Sequence, residues 1–290
     1  MKKITKKAYA KINLFLDVHS KYDNGYHEVS TVMQTVSLCD DVSILVAKKG
    51  ISIRCDAEGV PTDNKNIAYR AAELFLEESK IDEGLLIEIK KRIPAEAGLG
   101  GGSADAAAAL LGLNELFGFP LNTEKLLEIG ARLGADVPFC MVKGCAYAGG
   151  IGDKLHELPS MPQCYIVIAR GGEGYSTPAA YKMLDEKYSD FTDGKYEKHD
   201  AAAIIKALEQ KDIDLIAKNM YNIFEKVVLP SRKIASELIK TLTDNGAISS
   251  MMSGSGTAVF GIFKDEKKAK SAAEKISAEG YFADVAEPIW

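Results

Sequence analysis

The run Gly98-Leu99-Gly100-Gly101-Gly102-Ser103 carries the densest chemical signal in the chain. It lies between a segment that alternates like a strand, Leu85 to Ile93 closed by Pro94, and an alanine-rich helical pattern from about Ala104 to Phe117. A helix start offers backbone N–H groups that lack an internal partner, together with the positive end of the helix dipole, and both suit a phosphate. Consecutive glycines let anionic oxygens reach that backbone. Ser103 is placed to cap the helix, or to offer its hydroxyl to a phosphate or a metal. Asp105 falls in the expected first turn, where it suits the dipole but would repel a phosphate set too close. The run is not a Walker A loop, because no Gly-Lys-Ser/Thr ends it. It lacks the final glycine of the dinucleotide fingerprint, and the protein-kinase set of His-Arg-Asp and Asp-Phe-Gly elements is absent. A linker or a tight strand–helix contact is the alternative, although linkers rarely pass straight from a strand into a strong helix.

Four other places hold groups capable of chemistry. Lys11 and Asn13 share one face of an alternating segment, Ala10 to Val18, whose opposite face is Ile12, Leu14, Leu16 and Val18. Taken alone, Lys11 reads as a solvated edge residue. Asp136 follows a helix-ending glycine in Gly134-Ala135-Asp136-Val137-Pro138, where an Asx turn or a helix cap is the ordinary reading. Tyr26 and His27 end a polar loop, and a loop histidine is usually just solvated. Ser253-Gly254-Ser255-Gly256-Thr257 lies between two expected strands and by itself reads as a hairpin connection. Only beside the first loop does it become a second stretch of backbone lining a site.

The elements that must position these residues begin with four β-rich runs: Ala10 to Val18, Val29 to Leu38, Val42 to Ala47 after an Asp40-Asp41 turn, and Ile51 to Cys55. Together they predict a β-meander. A helix is expected over Ile67 to Ser79, another over about Thr123 to Leu133, and a strand over Phe139 to Ala148. From Gln163 the pattern predicts a strand (Gln163 to Arg170), a broken helical stretch (Thr177 to about Met220), a helix (Ser231 to Asp244), and two strands (Ala247 to Met252, Thr257 to Phe263). A helix (Glu266 to Glu279) and a last strand (Tyr281 to Ala286) complete it. That order is a split βαβ arrangement with extra helices inserted. The two prolines within His156 to Pro162 suggest a boundary there, giving domains 1–158 and 159–290 in an α+β chain.

At 290 residues, 47% hydrophobic and 27% charged with 9 Pro, the chain is an ordinary globular sequence and not a disordered or fibrous one. A net charge of -5 gives no electrostatic footprint for nucleic acid or for an anionic membrane surface. No stretch approaches the ~18 apolar residues that span a bilayer. Met1 to Lys7 is basic, yet Lys11, Asn13 and Asp17 interrupt any apolar region behind it, so the expectation is a cytoplasmic protein without a secretory leader. Five cysteines without a C-x-x-C pair, and only four histidines, suggest neither a disulfide framework nor a zinc site.

Taken together, Ala10-Lys11-Ile12-Asn13-Leu14, Gly25-Tyr26-His27-Glu28, Pro94 to Ala108, Gly134-Ala135-Asp136-Val137-Pro138-Phe139 and Met252-Ser253-Gly254-Ser255-Gly256 resemble the GHMP kinase superfamily along nearly the whole chain. The glycine loop carries the superfamily likeness. The Lys-Ile-Asn, Gly-Tyr-His and Gly-Ala-Asp-Val-Pro elements resemble its branch acting on a cytidine-diphosphate-linked methylerythritol in the non-mevalonate isoprenoid route. The resemblance implies a two-domain fold, an N-terminal β-meander with a βαβ-type remainder and a C-terminal ferredoxin-like domain. It also implies transfer of the ATP γ-phosphoryl group to the 2-hydroxyl of that substrate. It gives Asp136 and Lys11, lying near each other, the catalytic roles. Pro94, Ala95, Glu96, Ala97, Gly98, Leu99, Gly100, Gly101, Gly102, Ser103 and Ala104 would bind ATP. Asn13, Tyr26, His27 and Tyr181 would bind substrate, Tyr181 by stacking on the cytosine. Mg²⁺ would be held by the ATP phosphates and by Ser103. Where this branch usually has a second serine after Gly-Gly-Gly-Ser, this chain has Ala104. The implied partners are ATP and the cytidylated alcohol, with no nucleic acid or membrane, in a monomer or homodimer. Mevalonate or homoserine as acceptor would leave Gly25-Tyr26-His27-Glu28 unexplained. A non-catalytic nucleotide sensor would leave Lys11 and Asp136 without a purpose, and a dinucleotide-dependent oxidoreductase has the wrong glycine spacing.

Overall fold

The N-terminal β-rich runs form two long strands, β1 (Lys3–Lys21) and β2 (His27–Ala47), in a computed structural model that describes residues 2–174, 176–188 and 196–290. The chain divides into two compact units, each assembled from separate pieces. The first is Met1–Ala10, Cys39–Ala95 and Gly100–Val142; the second is Lys11–Leu38, Glu96–Leu99 and Lys143–Trp290.

In the first unit, β3 (Ile51–Cys55) is followed by α1 (Ile67–Ser79) and β4 (Gly84–Lys90). Strand β4 runs antiparallel to the C-terminal half of β2 and parallel to β3. The expected meander is therefore corrected: β3 does not return onto β2, because α1 carries the chain over to β4 and β4 takes the place beside β2. Helix α1 starts where the Asn66 side chain accepts from the Ala68 amide at 2.9 Å, and it stops at Lys80 in the left-handed region. Helices α2 (Gly101–Leu116), α3 (Thr123–Leu133) and α4 (Val137–Val142) complete the unit. The α2 alanines are buried around most of the helix, and their small side chains let it approach its neighbours. They share a core with Val42, Ile44, Phe75, Leu85, Ile87 and Ile129.

Asp40 and Asp41, expected in a turn, lie inside β2. Paired aspartates resemble a turn because they bond nearby backbone, but here their partners are remote in sequence. The fully buried Asp40 carboxylate accepts from the Arg92 and Ile93 amides at 2.5 and 2.8 Å, and from Lys91 Nζ at 2.5 Å. Lys91 also reaches Asp105 at 2.8 Å. Burial pushes the Asp105 carboxyl up to about 7, with the Lys91 ammonium opposing and the Asp40 carboxylate adding to the shift. An unfolded aspartate titrates near ~3.9. Between those values the folded chain holds a proton that the unfolded chain has released, so this group's contribution to stability falls as pH rises from about 4 to about 7. Asp105→Asn removes that loss. Denaturant melts of both proteins from pH 4.5 to 7.5 should show the variant gaining on the wild type by on the order of 2–3 kcal/mol across the range.

The second unit continues with β5 (Cys145–Gly149), β6 (Lys154–Leu158), β7 (Tyr165–Arg170), α5 (Thr177–Lys187), α6 (Ala202–Glu209), α7 (Ile213–Lys218), β8 (Tyr221–Asn222) and α8 (Glu225–Val228). Then come α9 (Lys233–Asp244), β9 (Ser249–Met252), β10 (Val259–Phe263), α10 (Glu266–Ala278) and β11 (Phe282–Ala286). The N-terminal half of β2 pairs with β5, and β5 with β6. Phe15 and Leu16 of β1 pair in parallel with β8. The remaining strands form an antiparallel sheet in the order β11-β7-β10-β9, with α9 and α10 packed on it, which is the expected split βαβ arrangement.

The strand expected over Phe139 to Ala148 is in fact α4 followed by β5. Lys143 and Gly144, both at positive φ, turn the chain between them. A short apolar run does not distinguish the two periods. His156, placed by sequence at a connection, lies opposite Tyr147 in β6. The helical stretch from Thr177 resolves into α5, α6 and α7, with residues 189–195 outside those described. Among the described residues no helix is long and apolar enough to cross a membrane.

Candidate functional site

Helix α2 begins at Gly101. Its N-cap is Gly100, held at φ 68 with no side-chain capping bond, so the expected Ser103 cap is not made and Asp105 stands beyond the first turn. Glycine serves here because the cap backbone is left-handed, where a Cβ would be strained. Gly102 is exposed, and Gly101 and Ser103 are half-buried. The amides of this helix start take no bond from an N-cap side chain, the arrangement that suits an anion.

The preceding residues, Glu96–Leu99, are fastened within the second unit. The carbonyls of Ala97, Gly98 and Leu99 accept, respectively, from the Ala258 amide (3.0 Å), Ser253 Oγ (3.0 Å) and the Lys11 amide (3.0 Å). The Ser253-to-Thr257 loop is thus more than a hairpin connection. A Cβ on Gly98, whose φ is +77°, would lie 2.0 Å from the Ser253 carbonyl oxygen. Asn222 holds the other side of this loop, donating through Nδ2 to the carbonyls of Met252 and Gly254, each at 2.8 Å. Gly98→Ala must therefore displace backbone on both loops. It is expected to weaken ATP binding at least about tenfold even where the variant folds, since a strained φ and a backbone clash together exceed about 2 kcal/mol. Nucleotide titration by calorimetry beside a thermal melt checks this.

Lys11 is buried at 5% exposure, which corrects its reading as a solvated edge residue. Strand β1 lies between β2 and β8, and its polar face is paired internally. Lys11 Nζ donates to Asn13 Oδ1 at 2.6 Å, Asn13 Nδ2 donates to Thr31 Oγ1 at 2.8 Å, and Thr31 Oγ1 donates to the Phe15 carbonyl at 2.8 Å. The Asn13 amide donates to Ser253 Oγ at 3.3 Å, tying this strand to the second glycine loop. Further along the same face, Asp17 accepts from the Tyr196 hydroxyl and the His199 amide. A buried ammonium aligned by an amide oxygen is a fixed positive charge, suited to a developing anion.

Asp136 belongs to the first unit, half-buried at the head of α4, where its carbonyl accepts from the Cys140 amide at 3.0 Å. The Val137 amide closes a turn onto the Gly134 carbonyl at 3.1 Å. Fully buried Val137 and Phe139 anchor the turn in the core behind it. Pro94, Ala95 and Gly100 to Ala104 lie in this unit, while Lys11, Asn13, Tyr26, His27, Tyr181 and Glu96 to Leu99 lie in the other.

Tyr26 is exposed and precedes β2, whose first residue, His27, is buried. His27 Nε2 meets Asp185 Oδ1 at 2.6 Å, and Lys21 Nζ pairs with the second Asp185 oxygen. The Tyr181 ring stacks on the imidazole with centroids 4.6 Å apart, and Phe224 abuts Tyr181 edge-on at 5.0 Å.

The family models agree with these features. "GHMP kinases N terminal domain" matches residues 66–144, and "GHMP kinases C terminal" matches residues 204–281. The 4-diphosphocytidyl-2-C-methyl-D-erythritol kinase of Caldicellulosiruptor bescii is 45% identical over 272 residues, 93% of each chain. The chain belongs to the GHMP kinase family. The similarly named kinase of Acetivibrio thermocellus is 43% identical over 289 residues, the full length of both. A crystal structure of 4-(cytidine 5'-diphospho)-2C-methyl-D-erythritol kinase aligns with a TM-score of 0.80 at 31% identity, covering 98% of this kinase and 99% of that chain. Homoserine kinase from Cytophaga hutchinsonii shares the fold, with a TM-score of 0.73 at 22% identity over 100% of this kinase and 95% of that chain. As a GHMP kinase the protein takes ATP as its co-substrate.

Sequence reasoning passed over Thr31, Asp185, Asn222 and the bridging role of Ser253 in this kinase. Asp185 left one usable trace, its i,i+4 spacing from Tyr181, which puts both side chains on one face of α5.

Proposed function

We propose that this kinase transfers the γ-phosphoryl group of ATP to the 2-hydroxyl of 4-diphosphocytidyl-2-C-methyl-D-erythritol, giving the 2-phosphate in the non-mevalonate isoprenoid route. The support is identity of 43–45% over 93–100% of the chain to kinases named for that substrate, with the substrate-side residues Tyr26, His27 and Tyr181 present. A division into domains near residue 158 belongs to the same reading, the two family matches falling on either side of it.

Phosphoryl transfer passes through a loose transition state, so positioning and charge stabilisation carry the catalysis. Residues Pro94 to Ala104 bind ATP, with the open amides at the start of α2 holding phosphate oxygens. Asp136 orients the acceptor hydroxyl and takes its proton, which leaves late in a loose transition state, so the orientation of the oxygen matters as much as proton transfer. Lys11, held by Asn13, offsets negative charge building on the transferred group. Tyr26, His27 and Tyr181 hold the cytidine end, and binding energy from that remote group orients the reacting hydroxyl.

Among the described residues no cluster of three or more His, Cys, Asp or Glu could hold a metal. Kinase magnesium rests mainly on nucleotide phosphates with one or two protein oxygens, an arrangement that the Ser103 hydroxyl, not engaged as the α2 cap, fits. Mg²⁺ bound there would neutralise phosphate charge.

The test is incubation with Mg-ATP and the cytidylated methylerythritol, followed by phosphorus NMR. A 2-phosphorylated product is expected, with no product from homoserine or mevalonate. Turnover of either of those in place of the cytidylated alcohol would overturn the substrate assignment.

A further inference from the structure

Among the residues around His27, Asp185 stands out because it makes contacts that a helix-surface carboxylate does not need. Two other acidic residues of the second unit, Asp244 and Glu266, pair with a lysine one turn away on their own helix. Asp185 instead leaves α5 for β1 and for the start of β2, where Lys21 and His27 each take one of its oxygens. Partial burial pushes its carboxyl up, but the hydrogen bonds from Lys21 and His27 outweigh this and hold it below the usual aspartate value. It is therefore ionised at neutral pH and can only accept a hydrogen bond. The imidazole nitrogen 2.6 Å away must then be the donor.

We propose that Asp185, with Lys21 on its second oxygen, is a positioning residue that fixes the tautomer and orientation of His27 for nucleoside recognition, an inference resting on the substrate assignment above. With Nε2 carrying the proton, a neutral His27 ring has a single tautomer, in which Nδ1 is the unprotonated nitrogen. Two restraints at right angles hold the ring. The Asp185 hydrogen bond acts in its plane, and the Tyr181 ring, itself backed by buried Phe224, lies against its face. A ring flip would exchange Nε2 for a carbon at the carboxylate and lose the charge-assisted bond. Tyr181 and Asp185 are four residues apart on α5, so one helix supplies both restraints and sets them relative to each other.

The role is separable from the chemistry of transfer. Asp185→Asn keeps the shape and removes the charge. It should raise KM for the cytidylated substrate about tenfold, the effect of losing a charge-assisted bond that orders a binding group. KM for ATP should stay within twofold, and kcat at saturating substrate should fall less than twofold. Because Asp185 acts through His27, adding Asp185→Asn to His27→Ala should raise KM no further. The ring-nitrogen resonances of His27 should report the Nε2–H tautomer in the wild type and a mixture in Asp185→Asn, independent of turnover and of whether His27→Ala folds. An unchanged KM in Asp185→Asn, additive losses in the double variant, or an unaltered His27 tautomer would overturn the proposal while the kinase reading stood. A wild-type protein that does not turn over the cytidylated substrate would overturn the substrate assignment, and the nucleoside role of Asp185 with it.

Discussion

Asp136→Asn is expected to lower kcat by about 10²- to 10⁴-fold, the usual scale for loss of a positioned base, with ATP affinity nearly unchanged. The asparagine keeps the volume of the side chain at the head of α4, so the Gly134–Val137 turn and the Asp136 carbonyl bond to Cys140 persist. What disappears is a negative oxygen able to orient the acceptor hydroxyl and receive its proton. Single-turnover kinetics with saturating ATP separate this from a binding defect, because the loss should appear in the chemical step. Turnover within threefold of wild type would remove Asp136 from that role and leave it as a helix cap.

Lys91→Met is the substitution expected to cost most in stability, about 3–5 kcal/mol, as when one partner of a buried ionic cluster is removed. Lys91 is 7% exposed at its side chain, between Asp40 at 0% and Asp105 at 4%. The two carboxylates raise its ammonium above the usual lysine value even though burial lowers it, so the positive charge is permanent. Methionine fills the space but removes the cation, so Asp105 must hold its proton beside the buried Asp40 carboxylate, which is left without its ion-pair partner. The damage should reach the glycine loop, since the carboxylate of Asp40 also holds the Arg92 and Ile93 amides just before it. Urea melts should show the loss at pH 7 and its growth above pH 7, where the wild-type Asp105 releases its proton beside Lys91 and the variant's cannot. Adding Asp105→Asn should recover part of it at pH 7. A Lys91→Met protein as stable as wild type at pH 7 would mean that the cluster is not an energetic unit.

The legible parts of the fold were those with local causes. The sequence expectation for α1 matches residue for residue, because an apolar periodicity and an Asn66 cap define it within its own span. Helix α3 is likewise as expected, between Asn122 and Gly134. The glycine run before α2 was readable because left-handed backbone at Gly98 and Gly100 leaves its mark directly in residue type. The Asp40-Asp41 pair misled because aspartate satisfies backbone amides equally well in a turn and across fifty residues. The apolar run after Asp136 misled because it is too short to show a period. Lys11 misled because strand alternation reports polarity, and polarity equals exposure only when no internal partner exists.

The chemical inventory of this protein was determined by its sequence alone: which residues can bind phosphate, carry charge or stack on a base, and where a helix such as α1 or α3 has its own cap and period. These follow from side-chain type and from neighbours a few positions away. Only the tertiary structure decided that Lys11 is buried against Asn13, that Ser253 bridges Gly98 and Asn13, and that Asp185 reaches His27 across 158 positions. Those partners are chosen by the folding of remote segments onto one another, and a hydrogen bond between distant residues leaves no periodicity in either of them.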